Sequence, residues 1–513
     1  MKRINNHLLK VILAGIILAG CNKNYLNVNN DPNRVTDANV TAELIFPQAE
    51  ATVGNRAASA NFLFLDHWIG YFAQNGTFAP QQNEITYNID FSFGNTLFIN
   101  HFDVLFDLHQ CQVKGLAGGD TALAGASMVL AAKLWQELVD LYGDIPYSQT
   151  FQVATITSPA YDKAQDIYND LQKKLDTAIT YLSGSVPNKF AAADIIAHGN
   201  TNEWILLANT LKLRLLIRQS EISGFNPSAD IAKILAKGGV LMAGQSVSVN
   251  PGYSNQAGKQ NPFYANFGFT PTGVQSTTAD DANAYIVKLE KTDNDPRLSR
   301  FFYPVGFAGS NFVGDVFGDL QSNIPVGSAS SYFGPGLIGD PGGSGDVTAG
   351  PGSSQDQWIV PSFESMFWYA EAVARGWIPG NAQTAYAAAV TENFVWLGVP
   401  NAAAAATSYM SGAADADPNT LAGLGTPFLK DQFIAYQKYR ALVGIDPLEA
   451  YSDIRRLNIL TDNSYISAAP GKLSNSIPVR LLYPQSEYTS NSTNVLKEGT
   501  ISPFTSKIFW DTN

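Results

Sequence analysis

The stretch DTALAGASMVLAAKLWQELVDLYGDIPYS, residues 120–148, indicates how most of this chain folds. Its apolar residues recur at helical spacing for about six turns. Asp120 is suited to cap the first turn of this helix, and Gly143 is suited to end the last one. Pro146 then prevents the helix from continuing. We therefore predict one long helix followed by a redirected segment, whose role is structural rather than catalytic.

The same helical spacing continues on both sides of this stretch. Apolar residues recur at steps of three and four before it, at Phe98, Phe102, Leu105 and Leu108, and after it, at Ile167, Leu171, Leu175, Ile179 and Leu182. A further helix is predicted to begin at a capping Thr201, and a shorter one is predicted to end at Gly238. Long helices joined by short connections predict a mainly α fold in which residues 41–240 form tetratricopeptide-like helical hairpins.

The composition of the chain changes after about residue 240. Two long stretches within residues 241–358 are rich in Gly, Pro, Ser and aromatic residues, and helical patterns return in residues 359–513. Long irregular stretches in a compact protein are usually functional or disordered. We predict that residues 241–358 form a loop-rich ligand-binding region, and that residues 359–513 complete the same helical body.

The first 20 residues have the features of a secretion signal. Basic residues precede an apolar run that ends at Ala19 and is too short to span a bilayer. The four residues LAGC, ending at Cys21, resemble the lipobox of bacterial lipoproteins, in which the cysteine is acylated and the chain is cut before it. We expect a lipoprotein signal peptide at 1–20, palmitate-type acyl chains on Cys21, and a polar tether at 21–40. An ordinary secretion signal with an incidental cysteine is the alternative.

Charge and composition exclude some functions. The chain has 513 residues, of which 44 are acidic and 32 basic, and its formal net charge is −12. Such a field repels phosphate groups, so we expect no nucleic acid among its partners. A hydrophobic content of 45% supports a packed core. Cys111 is predicted to be a buried, inert thiol within a helix.

Four motifs, taken in order along the chain, carry a resemblance to a known family. The segments LVDLYGDIPYSQT (138–150), ANTLKLRLLIR (208–218), YAEAVARGW (369–377) and IPVRLLYPQSEYTSN (477–491) resemble those of the SusD/RagB family of nutrient-binding outer-membrane lipoproteins. DPLEAYSDIRR (446–456) resembles a fifth family segment, with Tyr451 in place of the usual Trp. Within it, we interpret Glu449, Arg455 and Arg456 as partners in ion pairs between helices rather than as ligand contacts.

The resemblance implies both a fold and a function. It implies a SusD-like α/α superhelix with an irregular ligand region, and capture of a glycan or a peptide, most of all an oligosaccharide. It also implies a partner, a SusC-like TonB-dependent outer-membrane transporter that receives the nutrient. Many surface-exported relatives carry acidic residues after the lipidated cysteine, whereas this chain has Asn22-Lys23-Asn24. The exterior face of the outer membrane is therefore favoured, and the periplasmic face stays open.

Three stretches combine rings and polar groups in the way a glycan site requires. Sugars present apolar faces to aromatic rings and hydroxyls to amides and carboxylates. The predicted ligand-binding residues are Trp68, Tyr71, Asn75 and Phe78 in the first stretch, Tyr264, Asn266 and Phe267 in the second, and Tyr332, Phe333, Gln357 and Trp358 in the third. The alternative is that these rings fill the core or fix loops to the helical body.

The sequence contains no established catalytic or metal motif. It lacks the H-E-x-x-H and G-x-S-x-G patterns, and GYSNQAGK departs from the spacing of a phosphate-binding loop. Asp293 and Asp295 lack the glycine and the distal Glu of a calcium loop, so we interpret them as part of a turn. We therefore expect a binding protein with no catalytic residue, no metal site and no cofactor. A surface glycoside hydrolase, a peptide-binding member of the same family, and a structural lid or adhesin are the alternatives.

Overall fold

Helices dominate the part of the chain that the structure describes, and few strands accompany them there. The computed structural model describes residues 40–58, 60–75, 78–320, 329–341 and 346–513. The predicted signal peptide, residues 21–39 of the tether with Cys21, and residues 342–345 of the third binding stretch lie outside these ranges. Among the described residues, none of the helices combines the length and the apolar character that crossing a bilayer requires.

The helices fall into two groups on either side of the loop-rich region. Those up to residue 240 are α1 (Ala42–Ala57), α2 (Leu63–Trp68), α3 (Gln82–Ile85), α4 (Asn95–Ala117), α5 (Thr121–Tyr142), α6 (Ala164–Leu182), α7 (Asn188–Ala193), α8 (Thr201–Arg218) and α9 (Ser228–Ala236). The loop-rich region holds α10 (Pro262–Phe267), α11 (Ala284–Thr292), α12 (Leu298–Phe301) and α13 (Pro335–Ile338). The last group is α14 (Ser362–Ala374), α15 (Ala382–Trp396), α16 (Ala402–Gly412), α17 (Pro418–Gly423), α18 (Pro427–Ala441), α19 (Pro447–Leu457), α20 (Gln485–Ser490) and α21 (Ser492–Val495).

Short antiparallel strand pairs connect distant parts of the chain. The strands are β1 (Phe72–Gln74), β2 (Ile145–Pro146), β3 (Tyr161–Asp162), β4 (Val247–Val249), β5 (Asp280–Ala282) and β6 (Gln357–Val360). They pair as β1 with β5, β2 with β3, and β4 with β6. The first pair fastens the loop-rich region to the helical body, and the third pair brings the two ends of the loop-rich region together.

The long helices pack on their neighbours in sequence. Helix α4 packs against α5, α5 against α6, and α6 against α8, while α14 packs against α15 and α18. Contacts between α8 and α14 join the two helical groups. This succession confirms the predicted mainly α fold with tetratricopeptide-like hairpins.

Helix α5 begins and ends where the sequence predicts. The Leu123 N–H donates to the Asp120 carboxylate at 2.9 Å, which caps the first turn. Gly143 follows the last turn with φ of 78°, and a side chain there would meet the Arg480 guanidinium at 3.0 Å. The prediction of Thr201 as a cap is wrong by one residue, because Asn200 holds the cap position and Thr201 opens α8.

Glu449 holds four helices together at the centre of the body. Its carboxylate, on α19, accepts hydrogen bonds from Arg218 of α8 at 2.6 Å, Lys438 of α18 at 2.9 Å and Trp368 of α14 at 2.7 Å. Burial alone would raise the pKa of Glu449, but the surrounding cations hold it well below its usual range. A similar pair joins Arg456 to Glu371 of α14 at 2.6 Å. The predicted ion pairs are confirmed for Glu449 and Arg456, whereas Arg455 donates instead to the backbone carbonyls of Asp140 and Val479 at 2.8 and 2.9 Å.

Two other predictions from the sequence are also met. Cys111 is buried, and burial raises the pKa of its thiol to about 12, so the thiolate is not formed near neutral pH. Asp295 pairs with Arg297 at 2.7 Å, and Asp293 pairs with Arg440. Because both carboxylates have cationic partners, their segment is a fixed turn rather than a calcium loop.

Candidate ligand-binding groove

Most of the predicted ligand-binding residues lie in the core. Nine of them are at most 5% exposed, namely Trp68, Tyr71, Asn75, Tyr264, Phe267, Tyr332, Phe333, Gln357 and Trp358. Phe78 is 42% exposed, and Asn266 is half-buried. This placement corrects the expectation that the nine face a ligand, since in this structure their side chains are enclosed by protein.

The contacts of these side chains explain why they are buried. The Trp358 indole N–H donates to the Ile445 carbonyl at 3.0 Å, and the Tyr332 hydroxyl donates to the Gly268 carbonyl at 2.8 Å. The Phe333 ring packs against both Phe72 and Phe267, with centroids 4.8 Å apart in each pair. Large rings whose polar atoms find partners inside the protein stabilise a core by removing apolar area from water. These contacts support the alternative interpretation, in which the rings fill the core and fix the loop-rich region to the helical body.

A different part of the surface is concave, open and polar. Three adjoining depressions have volumes of about 420, 270 and 400 Å³. The first and second share Thr52 and Asn55 in their linings, and the second and third share Asn61. The three depressions therefore adjoin one another, and we call them together the amide groove. Its amide side chains are Gln48, Asn55, Asn61, Gln74, Gln81, Asn95, Asn100, Gln260 and Asn266.

Helix α1 supplies one wall of the amide groove. Gln48, Thr52 and Asn55 follow one another at steps of four and three, so they lie on one face of the helix. The opposite face carries Phe46 and Val53, which are buried in the core. The amphipathic pattern of α1 thus directs its polar side chains into the groove.

Helix α4 supplies the facing wall of the second depression. Asn100, Asp103 and Asp107 lie at steps of three and four along it, and α1 packs against this helix. Burial, followed by the charge of Asp103, raises the pKa of Asp107. Two carboxylates beside an amide give this wall several hydrogen-bond acceptors for hydroxyl groups.

Aromatic rings lie at both ends of the groove. Tyr253, on the loop before α10, lines the first depression, and burial raises the pKa of its hydroxyl to about 12. The hydroxyl therefore stays protonated and can donate a hydrogen bond at neutral pH. Phe64 and Phe93 line the third depression, with their rings edge to face at 5.2 Å.

A buried histidine holds together the segments that form the third depression. Nδ1 of His67 forms an ion pair with Glu84 of α3, and its Nε2 lies 3.3 Å from Oδ1 of Asp280 in β5. Burial alone would lower the pKa of His67, but the charges of Glu84 and Asp280 raise it to about 10. The imidazolium therefore holds α2, α3 and β5 together at neutral pH.

The sequence analysis found only part of this groove. Asn266 was predicted and lines it, and His67 and Gln74 lie within the first predicted stretch. Residues of α1 were not singled out, although polar residues at steps of four and three were a visible signal there. Helix α1 and the loop around Tyr253 line the same depression because of tertiary contacts, and no local sequence pattern indicates that they meet. Within the described ranges, no group of three or more His, Cys, Asp or Glu side chains is placed to hold a metal ion.

Comparisons with known proteins agree with this architecture. Residues 32–484 match the SusD-like_2 family, which is described as starch-binding and associating with the outer membrane. A SusD homologue from Bacteroides fragilis is 19% identical, with a TM-score of 0.71 over 92% of this chain and 99% of the other. A chitin-binding SusD homologue from Flavobacterium johnsoniae is 20% identical, with a TM-score of 0.72 over 91% of this chain and 99% of the other.

A further solved structure has the same fold. A SusD-like protein from Bacteroides thetaiotaomicron is 21% identical, with a TM-score of 0.69 over 92% of this chain and 99% of the other. No curated protein sequence matches the chain. At these identities the solved structures establish the fold and do not identify the ligand.

Proposed function

The chain belongs to the SusD-like family of outer-membrane-associated nutrient-binding proteins, and from this membership we propose that its amide groove binds an oligosaccharide at the cell surface. The bound sugar is then delivered to a SusC-like TonB-dependent transporter. The observation that supports the ligand class is the number of amide side chains that line the three adjoining depressions.

Amide side chains are suited to sugars because each offers both donors and acceptors. A sugar hydroxyl also donates and accepts, so an amide can satisfy it in either orientation. Tyr253 and Phe64 add ring faces for the apolar side of a sugar. Depressions of about 270–420 Å³ lie at the lower end of, or just below, the volumes usual for ligand pockets. Because three such depressions adjoin, the groove has room for several sugar units in succession.

The charges of the groove favour a neutral glycan over a peptide. Its acidic side chains are Glu84, Asp103, Asp107 and Asp280. The cations in its lining are Arg56 and His67, both buried and already in contact with protein groups. A peptide carboxylate would therefore meet repulsion without a free cation to bind it. Neutral starch and chitin fragments are the first ligands to test, because the family description names starch and one solved relative is described as chitin-binding.

A surface glycoside hydrolase is the alternative within the same groove. Asp103 and Asp107 would be its candidate carboxylates, since both line the second depression. We propose binding without turnover, which implies that bound oligosaccharides are recovered intact.

The localisation follows from the N-terminal motif. We propose that acylation of Cys21 anchors the protein to the outer membrane with the groove facing the exterior. Residues 22–40 are polar and rich in turn formers, which suits a tether between the anchor and the helical body.

Calorimetric titration of the full chain in detergent, with malto-oligosaccharides and chito-oligosaccharides, tests the proposal. We expect binding of one of these series and an affinity that falls at least about tenfold in Asn55→Ala and in Asn100→Ala, because each loses hydrogen bonds to the ligand. Asn169→Ala is the matched control, since Asn169 is exposed on α6 away from the groove. Equal affinities in all four proteins, or steady release of reducing ends, would contradict the proposal.

A further inference from the structure

Two buried aspartates face each other beside the β1–β5 pair. Asp281 lies in β5 opposite Ala73 of β1, and both Asp281 and Asp315 are at most 1% exposed. The Asp315 N–H donates to the Ala282 carbonyl at 2.9 Å, which sets this loop residue alongside β5. The Ala282 N–H in turn donates to the Ser331 carbonyl at 3.1 Å, which brings Ser330 to the same place.

Four oxygen atoms at this place have no partner other than one another. They are both carboxylate oxygens of Asp281, Oδ1 of Asp315 and the hydroxyl of Ser330. The remaining Asp315 oxygen accepts a hydrogen bond from the Asn75 amide at 3.1 Å. Across the described part of the chain, no Lys, Arg or His forms an ion pair with either aspartate. These oxygens therefore lack the compensation that buried polar groups usually have.

The cost of burial requires a positive partner for these carboxylates. Two adjacent carboxylates without water or a counter-charge are strongly unfavourable, and either a shared proton or a bound cation relieves them. The carboxylate of Asp315 and the hydroxyl of Ser330 both face Asp281. A shared proton bridges only the two aspartates, whereas a cation would bind the oxygens of all three side chains.

We propose that Asp281, Asp315 and Ser330 bind a calcium ion. The donor set consists entirely of oxygen, which hard divalent cations prefer over zinc or copper. Calcium accepts an irregular set of six to eight oxygens, so backbone carbonyls or water would complete its coordination. Magnesium demands near-octahedral geometry and retains several waters, which a fully buried pair of aspartates accommodates poorly.

The site goes beyond nutrient binding and does not depend on which ligand the groove takes. It would tie β5 to the segments around Asp315 and Ser330, next to Gln74 and Asp280 of the amide groove. The inference also revises the expectation, drawn from sequence motifs, that the chain has no metal site. Residues far apart in sequence supply the donors, so no metal motif is visible.

Equilibrium dialysis of the chelator-treated full chain in detergent against calcium chloride tests the site directly. We expect one calcium ion per chain, weaker binding of magnesium, and a Tm raised by roughly 2–4 °C in saturating calcium. Asp281→Asn combined with Asp315→Asn should abolish both the binding and the Tm shift. Asp166→Asn, at an exposed position of α6, is the control for loss of an acidic residue.

Ser330→Ala provides a second test of the site if the double aspartate variant does not fold. It removes one neutral oxygen, so calcium affinity should fall roughly tenfold while the protein without calcium keeps its Tm. The proposal is overturned if the wild-type chain binds no calcium, or if the aspartate or Ser330 variants bind it as the wild type does. It is also overturned if Asp315→Asn raises the Tm in chelator while calcium leaves the wild-type Tm unchanged, because that result identifies a shared proton.

Discussion

Nε2 of His67 lies 3.3 Å from Oδ1 of Asp280, so an ion pair joins the helical body to the loop-rich region at one end of the amide groove. Glu84 contacts the other ring nitrogen. The shape of this end of the groove therefore depends on the charge of one imidazole.

This dependence predicts how stability changes with pH. The folded pKa of His67 is raised to about 10 from an ordinary value of 6.5, so its contribution is fully present below about pH 6.5 and is lost as pH rises towards 10. We expect His67→Gln to lower the free energy of unfolding by about 2–4 kcal/mol at pH 6. The difference from wild type should shrink towards pH 10 in urea titrations. A difference that stays constant between pH 6 and pH 10 would argue against a charged His67.

The carboxylate of Glu449 gives a prediction of opposite sign. Its pKa is held well below its usual range, so its contribution is present above about pH 4.5 and is lost as pH falls. Glu449→Gln leaves Arg218 and Lys438 buried without their shared partner and should cost about 3–5 kcal/mol at pH 7, measured by urea denaturation. Asp166→Asn, at an exposed site, should change the unfolding free energy by less than about 0.5 kcal/mol. Equal effects from the two substitutions would contradict the assigned role of Glu449.

Trp358 distinguishes a core role from a ligand role. Its ring packs against Phe263 and Trp396, with centroids 5.0 and 5.7 Å away. Trp358→Ala should therefore destabilise the protein by about 3–5 kcal/mol, and Trp358→Phe by less. Differential scanning calorimetry measures the stability, and oligosaccharide titration of Trp358→Phe measures the affinity. A Trp358→Phe protein with an unchanged Tm but a tenfold weaker affinity would show that the ring contacts ligand.

Tyr253 provides the complementary test within the groove. Tyr253→Ala removes a ring face from the first depression and should weaken oligosaccharide binding by roughly tenfold, with little change in Tm. Tyr181→Ala is the matched control, because Tyr181 is half-buried on α6 and does not line the groove. Calorimetric titration of both variants gives the comparison. Equal affinities for the two variants would show that Tyr253 does not contact the ligand.

Cys21 carries the prediction about location. Without its sulfur no acyl chain can be attached, so Cys21→Ser should move the protein from the outer-membrane fraction to the soluble fraction. Fractionation of cells followed by detection of the protein in each fraction measures this. A Cys21→Ser protein that still sediments with outer-membrane vesicles would refute the anchor.

The fold was predictable from sequence where local chemistry determines structure. Asp120 caps α5, and Gly143 ends it, because a carboxylate near free N–H groups and a residue that tolerates positive φ are needed there. Asn200 shows the limit of this approach, since it occupies the cap position of α8 without a side-chain hydrogen bond. The boundary of α8 therefore differs by one residue from the one expected from Thr201.

The site was less predictable, because the same ring serves a core and a sugar equally well. Nothing local distinguishes Trp358, which is buried, from Tyr253, which lines the groove. Burial depends on whether β4 and β6 pair and on what packs above them, and these contacts join residues more than a hundred positions apart. Amides such as Asn55 and Asn100 are common on exposed helices, so they attract attention only when two helices place them side by side.

Helix α1 keeps its core-packing side chains and its groove-lining side chains on opposite faces. Phe46 and Val53 maintain the packing of the body, while Gln48 and Asn55 project from the other side of the same helix. If the amide groove binds the nutrient as proposed, substitutions on that outer side change the ligand and leave the packing of Phe46 and Val53 intact. On that premise, relatives with this architecture would be able to change diet while keeping the same shape.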